Sequence, residues 1–194
     1  MFDEIFEFEK QLSHFTGAPY VIVTDCCTHA LELCFIYTNV IKTKFTPYTY
    51  LSIPMMLHKI GVEYNLLNER SQEWKGEYKF ENTNIWDSAR RFERSMFRTG
   101  QLQCLSFGHN KPLQIGRGGA ILTDSPTAYK DLKEMSYDGR DLNVSPWEKQ
   151  KVFKLGYHYK PTIEEAVKGI ELIKTAKEQN QFVQYPDLRE IEII

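Results

Sequence analysis

The chain has 194 residues, of which 42% are hydrophobic and 26% charged. This length and composition predict a single soluble globular domain over residues 1–194 that needs no disulfide or metal staple. The formal net charge of −2, without a strongly basic region, gives no reason to expect a nucleic-acid partner. The N-terminus does not look like a signal peptide, and no apolar run could span a membrane, so a cytoplasmic setting is predicted.

The four cysteines are Cys26, Cys27, Cys34 and Cys104. They are too sparse for a secreted disulfide scaffold and lack the paired spacing of zinc ligands, so no metal site is predicted. The adjacent pair Cys26-Cys27 leaves redox chemistry open. Small, buried residues at a turn are the commoner use of such a pair.

The hydrophobic pattern predicts helices that alternate with short strands in the first part of the chain. In chain order these are a helix over residues 2–15 that stops at Gly17, a strand over Tyr20–Thr24, a buried helix from Thr28 to about Ile41, a strand over Phe45–Tyr48, a short helix over Met55–Ile60 and a strand over Val62–Leu67.

The pattern continues after a polar loop. The predicted elements are a loop over Asn68–Glu77, strands over Asn84–Asp87, Gln103–Phe107 and Gly119–Thr123, a helix from Ser125-Pro126 to about Tyr137, and a long helix behind a capping box that begins at Thr162. The alternation predicts an α/β fold with a mainly parallel sheet. The last ten residues, Tyr185–Ile194, are predicted to form a terminal strand or to dock on a partner chain.

Chemically capable residues follow several predicted strands, where open α/β sheets bind their ligands. Thr28 opens a helix after the first strand and is either a phosphate contact or a simple N-cap. Asp87 ends a later strand as a cap or a functional carboxylate. Lys111 lies in a glycine-bounded loop, where it is a solvated residue, a phosphate contact or a Schiff-base amine. The glycines of Gly116–Gly119 match neither the P-loop nor the dinucleotide fingerprint.

Eight short motifs follow one another in a recognisable order. They are Phe8–Ala18, Thr24–Leu33, Pro47–Tyr50, Trp86–Ala89, Ser106–Lys111, Gly116–Ala120, Asp138–Asp141 and Leu155–Tyr157. In order and in much of their spacing they resemble the DegT/StrS family of nucleotide-sugar aminotransferases, which depend on pyridoxal 5'-phosphate (PLP). The resemblance covers most of residues 5–175.

The resemblance implies the large domain of PLP-dependent transferase fold type I, a mainly parallel sheet flanked by helices, with the C-terminal small domain absent or vestigial. It implies that Lys111 holds PLP as a Schiff base and later moves a proton at the substrate carbon. Asp87 would pair with the pyridinium nitrogen and keep it protonated, so that the ring acts as an electron sink. Tyr50 would stack on the ring. The phosphate would be held by Cys27, Thr28 and Ser106.

Three positions depart from the family pattern. Arg90 stands where the family usually has Gln, and Arg117 replaces a Glu in the glycine motif. His158 replaces an Asn that reaches the phosphate of the neighbouring subunit. Each offers a polar group or a positive charge to an anionic site, so Arg90 and His158 are counted among the predicted cofactor-binding residues.

The function that the resemblance implies is transfer of an amino group, from glutamate, to a keto sugar carried on a nucleotide. Lys111 separates this chain from the family's dehydratase branch, which has His there. Active sites shared across a homodimer are also implied. The alternative is a truncated aminotransferase-fold protein that binds PLP or a partner without transaminase activity. That alternative is favoured by the strand-helix unit largely missing between Leu67 and Trp86.

Overall fold

The computed structural model describes residues 2–68, 76–180 and 184–192. The predicted loop over Asn68–Glu77 therefore lies mostly outside the described residues. The helices are α1 (Asp3–Thr16), α2 (Cys27–Thr38), α3 (Ser52–Lys59), α4 (Pro126–Ser136) and α5 (Ile163–Ile173). The strands are β1 (Tyr20–Thr24), β2 (Lys42–Phe45), β3 (Glu63–Leu66), β4 (Tyr78–Lys79), β5 (Ile85–Asp87), β6 (Arg91–Phe92), β7 (Leu102–Ser106), β8 (Gly119–Thr123) and β9 (Gln179–Asn180).

The central sheet has five strands in the order β1-β8-β7-β5-β4. β5 and β7 pair in parallel, whereas β8 runs antiparallel to both of its neighbours and β4 runs antiparallel to β5. The predicted α/β class is confirmed. The expectation of a mainly parallel sheet needs correction, since the sheet is mixed. Nevertheless β1, β5 and β7 point the same way, so their carboxyl ends share one edge.

The sheet separates two hydrophobic cores because successive residues of a strand face opposite sides. In β1, Ile22 belongs to the core shared with α2, α3 and α4. Its neighbours Val21 and Val23 belong to the core shared with α1 and α5. Helices on both faces make the strands buried on both sides, which explains why they read as continuous apolar runs.

Most predicted elements are confirmed, and one is misplaced. The strand predicted over Phe45–Tyr48 is found at Lys42–Phe45, where it pairs in parallel with β3. Its side chains alternate between exposed and buried, as in a strand with one covered face. Pro47 explains the error, because proline has no N–H to donate to a sheet ladder. The residues after Phe45 instead form a turn that leads into α3.

The C-terminal segment, residues 184–192, packs on the chain's own surface. Leu188 is buried, and its N–H donates to the carbonyl of Pro47 at 3.0 Å. Residues Leu188–Glu190 form a 3₁₀ turn. The prediction of a terminal strand is therefore wrong for residues 185–192, whereas docking of this segment on a partner chain stays a prediction. None of the helices in the described ranges is long and apolar enough to cross a membrane.

Candidate active site

Seven of the eight predicted site residues line one cavity of about 520 Å³. They are Cys27, Thr28, Tyr50, Asp87, Arg90, Ser106 and Lys111. The cavity lies at the sheet edge where β5 and β7 end and where α2 begins. Its size is typical of a small-molecule or cofactor site. The folded chain thus brings together residues that are up to 84 positions apart in sequence (Cys27 to Lys111).

One corner of the cavity is suited to a phosphate group. α2 begins at Cys27, and its N-terminus presents backbone N–H groups and the positive end of the helix dipole. The hydroxyl of Thr28 lies 2.8 Å from that of Ser52, so two hydroxyls meet beside the helix start. Cys26 caps the helix, because its sulfur accepts from the N–H of His29 at 3.4 Å. This corner can bind an anion.

The turn at this corner depends on a close approach by β8. A Cβ added at Gly119 would lie 2.5 Å from the carbonyl carbon of Cys26 and 2.5 Å from the nitrogen of Cys27. Both are backbone atoms and have little freedom to yield. A glycine is therefore required where β8 passes the start of α2.

Gly119→Ala is expected to displace the phosphate corner and weaken cofactor binding by about tenfold or more, which corresponds to about 1.4 kcal/mol. The measurement is an absorbance titration with PLP. Gly100→Ala is the matched control. A Cβ added at Gly100 would meet open space, but the backbone of this residue has a positive φ of 78°. The Gly100→Ala variant should lose about 1–2 kcal/mol of folding stability and keep the parent's affinity for PLP. Equal PLP affinity in the Gly119→Ala variant and the parent would contradict this role.

Asp87 is a buried carboxylate at the end of β5, with 6% of its surface exposed. One oxygen accepts from the backbone N–H of Ala89 at 2.9 Å and the other from the hydroxyl of Tyr78 at 3.1 Å. Burial raises the pKa of Asp87, while the Ala89 N–H and the charge of Lys111 act in the opposite direction. A desolvated carboxylate of this kind favours a cationic partner inside the cavity.

Lys111 enters the cavity from the loop after β7. Its N–H donates to the carbonyl of Gly108 at 3.1 Å, which closes a tight turn. Arg90 holds the same loop, because its Nη1 donates to the carbonyl of Asn110 at 2.6 Å. Both hydrogen bonds hold the peptide unit that joins Asn110 to Lys111, and Lys111 lines the cavity together with Asp87.

The remaining predicted residues lie at the rim or outside. Tyr50 is 62% exposed and stands at the edge of the cavity, where an aromatic ring is able to cover a bound ring. His158 does not line this cavity. Its side chain is 73% exposed, and its Nδ1 lies 3.0 Å from a carboxylate oxygen of Asp138. A role for His158 in the site of a neighbouring subunit stays a prediction.

The donor set of the cavity fits PLP. The helix start and its hydroxyls suit the phosphate, the Asp87 carboxylate suits the ring nitrogen, and the Lys111 amine suits the aldehyde.

Burial raises the pKa of the Cys27 thiol well above its ordinary value, and the charge of Asp87 raises it further. A protonated thiol is a poor nucleophile, which argues against redox chemistry at Cys27.

A second cluster lies behind the helix start. The ligand-type atoms of Asp25, Cys26 and His29 lie within 4.8 Å of one another. Asp25 is already bonded to His29 at 2.7 Å and to Arg117 at 2.8 Å. Burial lowers the pKa of His29, but the bonds to Asp25 and Cys26 outweigh it and raise the value to about 9. These hydrogen bonds brace the turn that leads into α2.

Sequence reasoning missed several residues of the site. The hydroxyl of Tyr78 forms hydrogen bonds with Asp87 and Thr49, and the hydroxyl of Ser52 forms one with Thr28. Tyr185 lines the cavity from the C-terminal segment. Tyr78, an aromatic residue directly after the predicted polar loop, is the available sequence signal for β4. Nothing in the sequence pattern placed Tyr185 near the cavity.

The sequence profile of the DegT/DnrJ/EryC1/StrS aminotransferase family matches residues 89–182. The resemblance to this family is therefore confirmed. No curated protein matches the sequence.

Solved structures, PLP-dependent aminotransferases among them, share the fold, so the predicted PLP-dependent transferase fold type I is confirmed. Helicobacter pylori PseC, an aminotransferase involved in the biosynthesis of pseudoaminic acid, is 15% identical with a TM-score of 0.71. Bacillus subtilis NtdA, solved with bound cofactor PMP, is 18% identical with a TM-score of 0.68. DesI, solved in the presence of its TDP-sugar product, is 16% identical with a TM-score of 0.69. These matches cover 89%, 88% and 89% of this chain, and the chain spans only 57%, 48% and 53% of theirs.

Proposed function

Because residues 89–182 match the profile of the DegT/DnrJ/EryC1/StrS aminotransferase family, we propose that this protein is a PLP-dependent aminotransferase. Its substrates would be an amino-acid donor, glutamate, and a keto sugar carried on a nucleotide. The observation that carries the proposal is the meeting of Lys111, Asp87 and the start of α2 in one cavity. The bound ligands of NtdA and DesI support the cofactor and the sugar substrate.

Each residue has a distinct task in this proposal. Lys111 would hold the cofactor through its amine and would move a proton to or from the substrate carbon that carries the amino group. Asp87 keeps the ring nitrogen protonated, and Tyr78 keeps Asp87 oriented through its hydrogen bond. PLP supplies an electron sink when bound. Thr28, Ser106 and the backbone around Cys27 hold its phosphate.

A homodimer with shared sites, in the cytoplasm, is also part of the proposal. Between α4 and α5 the chain exposes the apolar side chains of Trp147, Val152, Phe153 and Leu155. A second copy that covers this segment would bury them, and His158 follows directly after it. Chemical crosslinking or light scattering on the purified protein tests the dimer.

The alternative is a protein that binds PLP or a partner without transferring an amino group. The sequence feature that favours it is the strand-helix unit largely missing between Leu67 and Trp86. The two functions make different predictions for glutamate.

The test is a half-reaction with L-glutamate on protein loaded with PLP. We expect one equivalent of 2-oxoglutarate per bound cofactor and a matching change in the cofactor's absorbance, while D-glutamate gives neither. If the cofactor binds and no 2-oxoglutarate forms at any glutamate concentration, the binding-only alternative is correct.

A further inference from the structure

Three buried side chains form a hydrogen-bonded row along one wall of the cavity. The hydroxyl of Thr49 lies 2.8 Å from that of Tyr78, and the hydroxyl of Tyr78 donates to Oδ2 of Asp87 at 3.1 Å. All three residues line the cavity, and their exposed fractions are 3%, 9% and 6%. Hydrogen bonds in so dry a place are electrostatically stronger than the same bonds in water.

The chemistry of the three groups gives this row a direction. A phenol has one proton to donate, and Tyr78 donates it to Asp87. The oxygen of Tyr78 is therefore the acceptor in its bond with Thr49, whose hydroxyl donates. Each bond polarises the next one along the row. A donor directed at Oδ2 favours the carboxylate form of Asp87 over its neutral acid.

Tertiary contacts assemble the row from three separate elements. Tyr78 stands directly opposite Asp87 in the antiparallel pairing of β4 with β5. Thr49 comes from the turn between β2 and α3 and directly precedes Tyr50 at the rim of the cavity. The row thus ties the turn that carries Tyr50 to the end of the strand that carries Asp87.

Burial and the surrounding donors act in opposite directions on Asp87. Desolvation raises its pKa. The groups that lower this pKa are, in falling order, the N–H of Ala89, the charge of Lys111, the hydroxyl of Tyr78 and the charge of Arg90. The other ionisable groups that face it are the thiols of Cys27 in α2 and Cys104 in β7. The charge of Lys111 changes when its amine reacts, whereas the hydroxyl of Tyr78 stays a donor throughout.

We propose that Thr49 and Tyr78 are positioning residues that hold the Asp87 carboxylate in place and keep it negatively charged beside the ring nitrogen of the cofactor. This inference rests on the proposed aminotransferase function and adds a role for Thr49, which acts on Asp87 through Tyr78. A neutral Asp87 would not stabilise a proton on the ring nitrogen, so the ring would be a weaker electron sink without the row.

The first test follows the side-chain carboxyl carbon of Asp87 by NMR in cofactor-free protein made with isotope-labelled aspartate. Tyr78→Phe removes one hydroxyl and keeps the ring, so the pKa of Asp87 should rise above its parental value. Thr49→Val should shift this pKa in the same direction by less, and Thr49→Ser should restore the parental titration. Tyr64→Phe is the matched control, because Tyr64 also packs on Phe45, as Tyr78 does, but does not line the cavity.

The titrations decide the role of the row. An unchanged or lower pKa of Asp87 in Tyr78→Phe would overturn the proposal, as would a Thr49→Val titration equal to that of the control. A merely structural role for Tyr78 would lower the stability of the variant and leave the titration of Asp87 where it is. If circular dichroism shows that Tyr78→Phe is unfolded, Thr49→Val and Thr49→Ser supply the result.

Protein loaded with PLP separates this inference from the proposed function. The nitrogen NMR shift of isotope-labelled PLP reports whether the ring nitrogen carries a proton. Tyr78→Phe should move this shift toward the unprotonated value and slow the glutamate half-reaction about tenfold or more, because it removes a hydrogen bond to a charged group. If the parent binds no PLP, the proposed function fails, and the Asp87 titration still decides the role of the row. If the parent transfers the amino group and both variants titrate as the parent does, only the row is wrong.

Discussion

Replacing Lys111 by alanine is expected to slow amino transfer by at least about 10²-fold, the usual contribution of a positioned general acid–base group. The amine is the group in the cavity that is able both to hold the cofactor covalently and to move a proton at the substrate carbon. The variant should still bind PLP, more weakly, because the phosphate corner at α2 is intact. Steady-state kinetics and a PLP titration measure the two effects.

Two further variants show whether charge or nucleophilicity matters at this position. Lys111→Arg keeps the positive charge beside Asp87 but has no nucleophilic amine, so it should be as inactive as the alanine variant. Lys130→Ala is the matched control, because Lys130 is exposed on α4 and does not line the cavity. Transfer at more than a tenth of the parental rate in Lys111→Ala would remove Lys111 from the chemistry.

Replacing Asp87 by asparagine is expected to lower the transfer rate by about 10²-fold, a typical cost of losing one electrostatic contact aimed at the reacting group. Asparagine keeps the shape but cannot stabilise a proton on the ring nitrogen. The rate should fall far more than the affinity for PLP. Asp124→Asn is the matched control, since Asp124 follows β8 and bonds only the N–H of Gly100 among the described partners.

The same substitution has a pH-dependent effect on the stability of the cofactor-free protein. Burial raises the pKa of Asp87, so between its ordinary value and the raised value the folded state binds more protons than the unfolded state. Stability contributed by this group therefore falls as pH rises through that window. The Asp87→Asn variant should lack this fall, which urea titrations at several pH values can measure. An identical pH dependence in both proteins would contradict the buried carboxylate.

The site was largely predictable because its residues follow strands. Asp87 ends β5, and Lys111 lies in the loop after β7, which runs parallel to β5, so both residues lie at one sheet edge. Thr28 opens a helix and therefore joins the same edge. The end of a strand is marked by a local change in the hydrophobic pattern, so it can be predicted from the sequence alone.

The misplaced features depend on contacts between distant residues. β4 has only two residues, and its pairing with β5 is what brings Tyr78 to Asp87. The direction of β8 follows from its neighbours in space, and its apolar composition is the same for either direction. The docking of Leu188 on Pro47 joins residues that no periodic pattern connects. These features arise from tertiary packing, and a single sequence does not encode them in a readable pattern.

The most direct measurement of the central claim is borohydride reduction of the PLP-loaded protein, followed by peptide mass mapping. We predict that one phosphopyridoxyl group per chain becomes fixed on the peptide that contains Lys111, and that Lys111→Ala takes up none. The label on a different lysine, or no stable label on a chain that binds PLP, would contradict the assignment of this cavity.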